Sequence, residues 1–248
     1  MKIIISPAKK MNIDSDSLDT GGLPVFLDKT STILDTLRSL SYDELKAIWK
    51  CNDSIATLNF ERIQKMDLTR NLTPAILSYE GIQYKYMSPA VFENSMFTYI
   101  SEHLRILSAF YGVLKPMDGV VPYRLEMQAS VNIENHANLY DFWGDNLHLE
   151  LNDDVILNLA SKEYSKCIEK HLKPTNTLIT CVFGELSNGK ITQKATFAKM
   201  ARGEMVRFMA CNNIENLTDI KKFNALNFIF SCIHSTETEY VFLRNTQK

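Results

Sequence analysis

Ile3-Ile4-Ile5, set between Lys2 and Ser6-Pro7, is an unbroken run of β-branched apolar residues. A run with no polar alternation offers no face to water, so it predicts a strand in the interior of a sheet. The strand must stop at Ser6-Pro7, which delivers Lys9 and Lys10 just beyond its end, where a chain is often exposed to a ligand. The run is too short for a signal peptide, and no apolar stretch approaches the roughly 18 residues of a membrane span. A hydrophobic share of 45% and a charged share of 23% over 248 residues exclude disordered and collagen-like classes. No low-complexity linker and no internal repeat divides the chain, so residues 1–248 are expected to form one compact domain.

The five cysteines, Cys51, Cys167, Cys181, Cys211 and Cys232, are far apart and odd in number, with no CxxC pair. That spacing predicts neither a disulfide framework nor a structural zinc site, and free thiols suit the cytoplasm. His103, His136, His148, His171 and His234 are scattered, and Trp49 and Trp143 read as core residues. GxGxxG, phosphate-loop, GxSxG and HExxH patterns are absent, so no cofactor or metal is expected.

Ser41-Tyr42-Asp43-Glu44 forms a capping box, and residues 29–63 are expected to hold two helices, the first ending near Leu40. Strand-like alternation is expected at Ala75–Tyr79 and Tyr84–Met87. A helix after Ser88-Pro89 should reach about Leu104. Leu104–Leu114 is dense and apolar, and periodicity leaves strand and helix open there. Leu139–Leu151 reads as helical, Val155–Leu159 as a central strand, and Ser161 as the cap of a helix through Cys167. Asn188-Gly189 joins Thr177–Phe183 to Lys190–Lys194 as a hairpin, because both residues tolerate positive φ. Thr196–Cys211 is an amphipathic helix and Tyr240–Leu243 a last strand. Helices mixed with hairpins, without a regular βαβ rhythm, predict an α+β fold with a mixed or antiparallel sheet.

Charge is unevenly distributed. The chain carries 27 basic and 29 acidic residues, a net of −2, so a polyanion must be met by a local patch. Lys190, Lys194, Lys199, Arg202 and Arg207 stand against the single acid Glu204 within residues 190–207. On the 196–211 helix, Phe197, Ala201, Met205, Phe208 and Met209 share one face, leaving Lys199, Arg202 and Arg207 on the other. That second face is either a solvated exterior or an anion-binding wall. Gly203 in mid-helix costs roughly 1 kcal/mol relative to Ala and points to close approach by another backbone or a ligand.

Two further clusters carry polar groups. In Tyr123-Arg124-Leu125-Glu126, alternation places Arg124 and Glu126 on one side, as an ordinary ion pair or as an anion clamp with an orienting acid or base. Asn158, Ser161, Glu163 and Tyr164 surround a strand-to-helix turn, a place where exposed amides favour anions and where simple N-capping would also suffice. Leu107–Val113 partly fits the turn of a helix-hairpin-helix element, in which Gly112 would let backbone amides approach a phosphate. Leu114 stands where that motif has its second glycine, and a buried strand ending at a glycine turn fits equally.

Several of these segments together resemble the YaaA family of peroxide-stress proteins. They are Ser6-Pro7-Ala8-Lys9, Leu104–Ser108, Tyr111–Asp118, Pro122–Met127, Leu139–Gly144, Asn158–Ser161 with Glu163-Tyr164, and Ala201-Arg202-Gly203 with Arg207. They run in family order over most of the chain. The chain departs from the family pattern at Ser108-Ala109-Phe110, Gln128-Ala129, Met200 and the segment after Phe223-Asn224. The resemblance implies a cytoplasmic protein of the peroxide response that limits iron-linked damage and binds DNA in a basic cleft, on an α+β fold with a helix-hairpin-helix element. It brings no established reaction.

Joined to the charge pattern, it makes Lys9, Lys10, Gly112, Lys115, Arg124, Lys199, Arg202 and Arg207 the expected contacts to DNA phosphates. The alternative is an enzyme acting on a nucleotide, a damaged base or a small acid, with Lys9, Arg124, Glu126, Ser161 and Tyr164 in its cleft. In it Glu126, Tyr164 and Ser161 are the catalytic candidates. An iron-handling role ranks last, because no His, Cys or carboxylate spacing supports it.

Overall fold

A computed structural model describes residues 1–245. Its principal sheet has eight strands: β1 (Lys2–Ile5), β2 (Leu104–Ser108), β3 (Gly112–Leu114), β4 (Val155–Leu159), β5 (Thr177–Ser187), β6 (Lys190–Thr192), β7 (Phe228–Phe230) and β8 (Glu239–Arg244). They lie in the order β7-β8-β5-β4-β1-β2-β3, with β6 folded back on β5. Pairing is parallel from β8 through β2 and antiparallel at β7, β3 and β6, the mixed sheet expected of an α+β chain. The parallel centre is hidden in the sequence because residues 6–103 separate β1 from its partner β2. Ile3, Ile4 and Ile5 are wholly buried, since β1 is flanked on both sides and both its faces are covered.

Helices surround this sheet: α1 (Leu27–Ser39), α2 (Tyr42–Trp49), α3 (Asp53–Lys65), α4 (Ile82–Met87), α5 (Asn94–His103), α6 (Lys162–Glu169) and α7 (Ala195–Cys211). The capping box at Ser41 forms as expected. Three helices replace the expected two, because Lys50 enters the left-handed region at φ 46° and Asn52 caps a new helix through the Ile55 amide. The strands expected at 75–79 and 84–87 are instead the helical turn Ala75–Ser78 and the helix α4. Tyr84 and Met87, three apart, are both buried, and so short a run satisfies either period.

Residues 104–114 fold as the hairpin of β2 and β3, so the helix-hairpin-helix expectation is corrected. The Ser108 hydroxyl accepts from the amides of Phe110 (3.2 Å) and Tyr111 (2.9 Å) and closes the turn. Gly112, at φ +78°, is buried, and a Cβ there would stand 2.8 Å from the Trp143 ring. Its conformational freedom serves core packing and presents no amide to a phosphate.

The mid-helix glycine has the explanation its propensity cost required. A Cβ on Gly203 would fall on the carbonyl oxygen of Gln83 and within 2.9 Å of the Met87 amide nitrogen, so α7 and α4 touch backbone to backbone. Gly203→Ala is therefore expected to destabilise the protein by about 1–3 kcal/mol, although alanine is the better helix former. Urea unfolding measures this, and an alanine variant as stable as the parent would refute the contact.

Candidate functional site

β1 and β4 lie side by side, yet the chain leaves β1 to reach β2 on one flank and leaves β4 to reach β5 on the other. Such a switch point opens a crevice beyond the carboxyl ends of its two strands. Here the crevice is closed at its floor by two serines. The Ser6 hydroxyl accepts from the Ser161 amide at 2.8 Å and donates to the Ser161 hydroxyl at 3.1 Å. Ser161 occupies the N-cap position of α6 as expected, but its hydroxyl makes no capping bond. Tyr84 donates to the Ser6 carbonyl at 3.0 Å and fastens α4 to the same strand end.

Above the serines lies a cleft of about 510 Å³. Its walls are the segments 6–10, 80–84 and 123–126, the start of α6 with Glu163 and Tyr164, and Lys199 and Arg202 of α7. Segment 123–126 is held from behind: the Tyr123 hydroxyl meets those of Tyr79 (2.9 Å) and Ser108 (2.7 Å), and its ring stacks on Phe110. Tyr123 and Leu125 are buried and Arg124 and Glu126 only partly so, the alternation expected from sequence.

Lys9, Lys10, Arg124, Lys199 and Arg202, from three distant stretches, are brought together on these walls. So are Glu126, Ser161 and Tyr164. Gly112 is in the core, Lys115 lines a separate small hollow with Arg105, Asp118 and Glu150, and Arg207 lies outside the cleft. Asn158 is also apart, its amide group bonded to Ala160 and Thr180. Of the two readings of Arg124 and Glu126, the ordinary ion pair does not form. Glu126 is bound by Lys9 at 2.5 Å, and Glu80 by Lys10 at 2.7 Å.

Two of the five cations are thereby neutralised; the exposed Lys199 and the two arginines are not. Arg124 and Arg202 make no hydrogen bond or ion pair with any described residue, and the Nε of each is shut off from water. Burial draws the Arg202 pKa down, opposed only by Cys181. That thiol is itself pushed up to about 12 by burial and is neutral at physiological pH. A guanidinium starts so high that it keeps its charge regardless. Glu163, across the cleft, is raised above the usual carboxylate range by burial, and the nearby Glu126 charge adds to the effect. The Tyr164 phenol is held well above its ordinary value by the same burial.

Ser6, Glu80, Gln83 and Tyr84 also line the site, beyond the residues that charge and motif mark in the sequence. The proline after the β-branched run was the available signal for Ser6. Gln83 and Tyr84 carry no such signal, because the six residues of α4 fit a strand as well as a helix, and Glu80 carries none because its partner Lys10 is 70 positions away.

A buried charge without a counterion costs several kcal/mol. Replacing Arg202 by methionine, which keeps most of the side-chain volume, is expected to stabilise the ligand-free protein by about 1–3 kcal/mol. At this size that raises the melting midpoint by roughly 2–10 °C. Calorimetry in a buffer free of phosphate and sulfate measures it, and a lower midpoint for the variant would contradict the reading of Arg202 as unpaired.

Residues 1–232 match the family model described as peroxide stress protein YaaA. The chain is 60% identical to a UPF0246 protein of Agathobacter rectalis over 246 residues, which cover 98% of this chain and 99% of that one. It is 56% identical to a UPF0246 protein of Lachnoclostridium phytofermentans, covering 98% and 96% of the two chains, and 55% identical to one of Desulfitobacterium hafniense, covering 98% of each. By this end-to-end match the chain belongs to the peroxide stress protein YaaA family, also called UPF0246.

Proposed function

We propose that the chain serves the peroxide-stress response by binding DNA at this cleft, through phosphates and with little regard to sequence. The supporting observation is that five cations from three distant stretches line one concavity of a chain whose net charge is −2. A duplex does not fit into 510 Å³. It lies across the mouth, against the exposed Lys9, Lys10 and Lys199, while a single nucleotide or strand end reaches Arg124 and Arg202. Neutralising phosphates releases the cations condensed on them. Where ferrous ion is among those cations, bound protein moves peroxide chemistry away from the strand, which links DNA binding to protection from iron.

The affinity should then fall linearly on a log–log plot against salt, with a slope of about −0.9 per duplex phosphate neutralised. Arg202→Ala should weaken binding to all sequences alike and flatten that slope by about one. Fluorescence anisotropy across a salt series reads both quantities. An unchanged slope would remove Arg202 from the phosphates, and no binding at low salt would remove the DNA reading altogether.

One observation favours a second reading, an enzyme acting on a nucleotide, damaged base or small acid in the same cleft. Glu126 is paired with a lysine while Glu163 is raised by burial, and two carboxyls in contrasting environments are what acid–base chemistry uses. In that case Glu126→Gln abolishes turnover yet retains the salt slope for DNA. A Glu126→Gln protein that no longer folds would instead mark the Lys9–Glu126 pair as structural.

A further inference from the structure

We propose that the inner end of the cleft is a seat for a phosphate monoester, the terminal phosphate of a mononucleotide or of a DNA strand, held by Gln83, Arg124 and Arg202. The proposal deepens the DNA reading above by naming the group that the cleft takes. It begins from donors with nothing to donate to. Gln83 Nε2, Arg124 Nε and Arg202 Nε are all shut off from water without a hydrogen-bond partner, and all three residues line this one cleft. Gln83 is 93% buried, with a relative exposure of 7%. A buried donor left unmade is expensive, so each of the three gains by turning to an acceptor that enters the cleft, one that no described residue supplies.

Other arginines with a buried free Nε differ in kind. Arg105 gives another of its nitrogens to the Ser101 and Leu104 carbonyls, and Arg244 is paired with Glu185. Neither lines the cleft. Their charges are satisfied locally, whereas those of Arg124 and Arg202 are not.

The geometry of the wall explains why the donors stay in place. Gly203, next to Arg202, presses on the carbonyl of Gln83, so α7 and α4 present these two side chains from abutting backbones. Arg124 projects from the segment anchored by Tyr123. The backbones that carry the donors are therefore fixed before a ligand arrives, which lowers the entropy lost on binding.

Charge selects the ligand class. Lys9 and Lys10 are already matched by Glu126 and Glu80, which leaves Arg124, Arg202 and Lys199 against the one remaining carboxyl, Glu163, a surplus of two positive charges with Glu163 ionised. A phosphate monoester carries nearly two negative charges at neutral pH, and its three free oxygens suit planar, forked donors. An internal phosphodiester carries one charge and brings two bulky substituents, so it matches the exposed, unpaired Lys199 at the mouth better than the enclosed end.

The test uses the full chain and isothermal titration calorimetry with deoxyadenosine 5′-monophosphate. Deoxyadenosine and 3′,5′-cyclic deoxyadenosine monophosphate are expected to bind at least about tenfold more weakly, since each lacks the dianion. Arg202→Met and Gln83→Leu are each expected to lower affinity for the monophosphate by about tenfold or more. The Gln83 Nε2 bonds to no described residue, so its replacement keeps the experiment decisive should Arg202→Met fail to fold. A cyclic diester that binds as tightly as the monoester, or a monophosphate affinity unchanged in both variants, would overturn the seat.

Single-stranded oligonucleotides with a 5′-phosphate or a 5′-hydroxyl separate the two sources. A preference of about tenfold for the phosphorylated end assigns the seat to strand ends. Equal affinity together with binding of the free monophosphate assigns it to mononucleotides. The two readings also fail separately. Monophosphate binding without duplex binding sinks the DNA reading and keeps the seat, and duplex binding with the expected salt slope but no monophosphate binding does the reverse.

Discussion

The structure depends on the burial of Ile3-Ile4-Ile5 between β2 and β4, two strands drawn from far along the chain. A wholly apolar strand has to be central, and a central parallel strand whose neighbours are reached in opposite directions leaves a crevice at its end. The tie from Ser6 to Ser161 closes the floor of that crevice. The cleft is thus a consequence of how the first strand satisfies its hydrophobicity.

Around that floor the protein arranges charge unevenly. Ion pairs satisfy the lysines of segment 6–10, while the arginines opposite are left without counterions in partly dry surroundings. The backbone contact of Gly203 with α4 keeps Arg202 beside Gln83, and the tyrosine network behind Tyr123 keeps Arg124 in place. Packing that is ordinary elsewhere in the core here sustains an electrostatic imbalance. Such an imbalance lowers stability, and it is intelligible if the missing charge arrives with a ligand.

Much of this was legible in the sequence for identifiable reasons. The Ile3–Ile5 run, the capping box at Ser41, the hairpin at Asn188-Gly189 and the 196–211 helix each carry a local signal that tertiary context did not override. Lys9, Arg124, Glu126 and Arg202 were selected because charge and alternation marked them, and they do meet in one cleft. What failed was short or partnered at a distance. Six residues of α4 fit a strand as well as a helix, so local pattern gives Gln83 and Tyr84 no place in a site. Of the two readings of Gly112, phosphate approach fails and the buried strand turn holds, and spacing cannot decide between them because it does not reveal Trp143, Phe26 and Leu147 pressing on that position. The preference of Glu126 for Lys9 over Arg124 depends on residues 117 positions apart and left no trace in local pattern.

The central claim is that two guanidiniums in this cleft await an anion. The most direct measurement is nitrogen-15 NMR of the arginine Nε–H groups as inorganic phosphate is added at low ionic strength. The Arg124 and Arg202 resonances are expected to shift and gain protection from exchange, while that of Arg38, already bonded to the Ile63 carbonyl, stays where it is. Arg124 and Arg202 signals unmoved at saturating phosphate would contradict it.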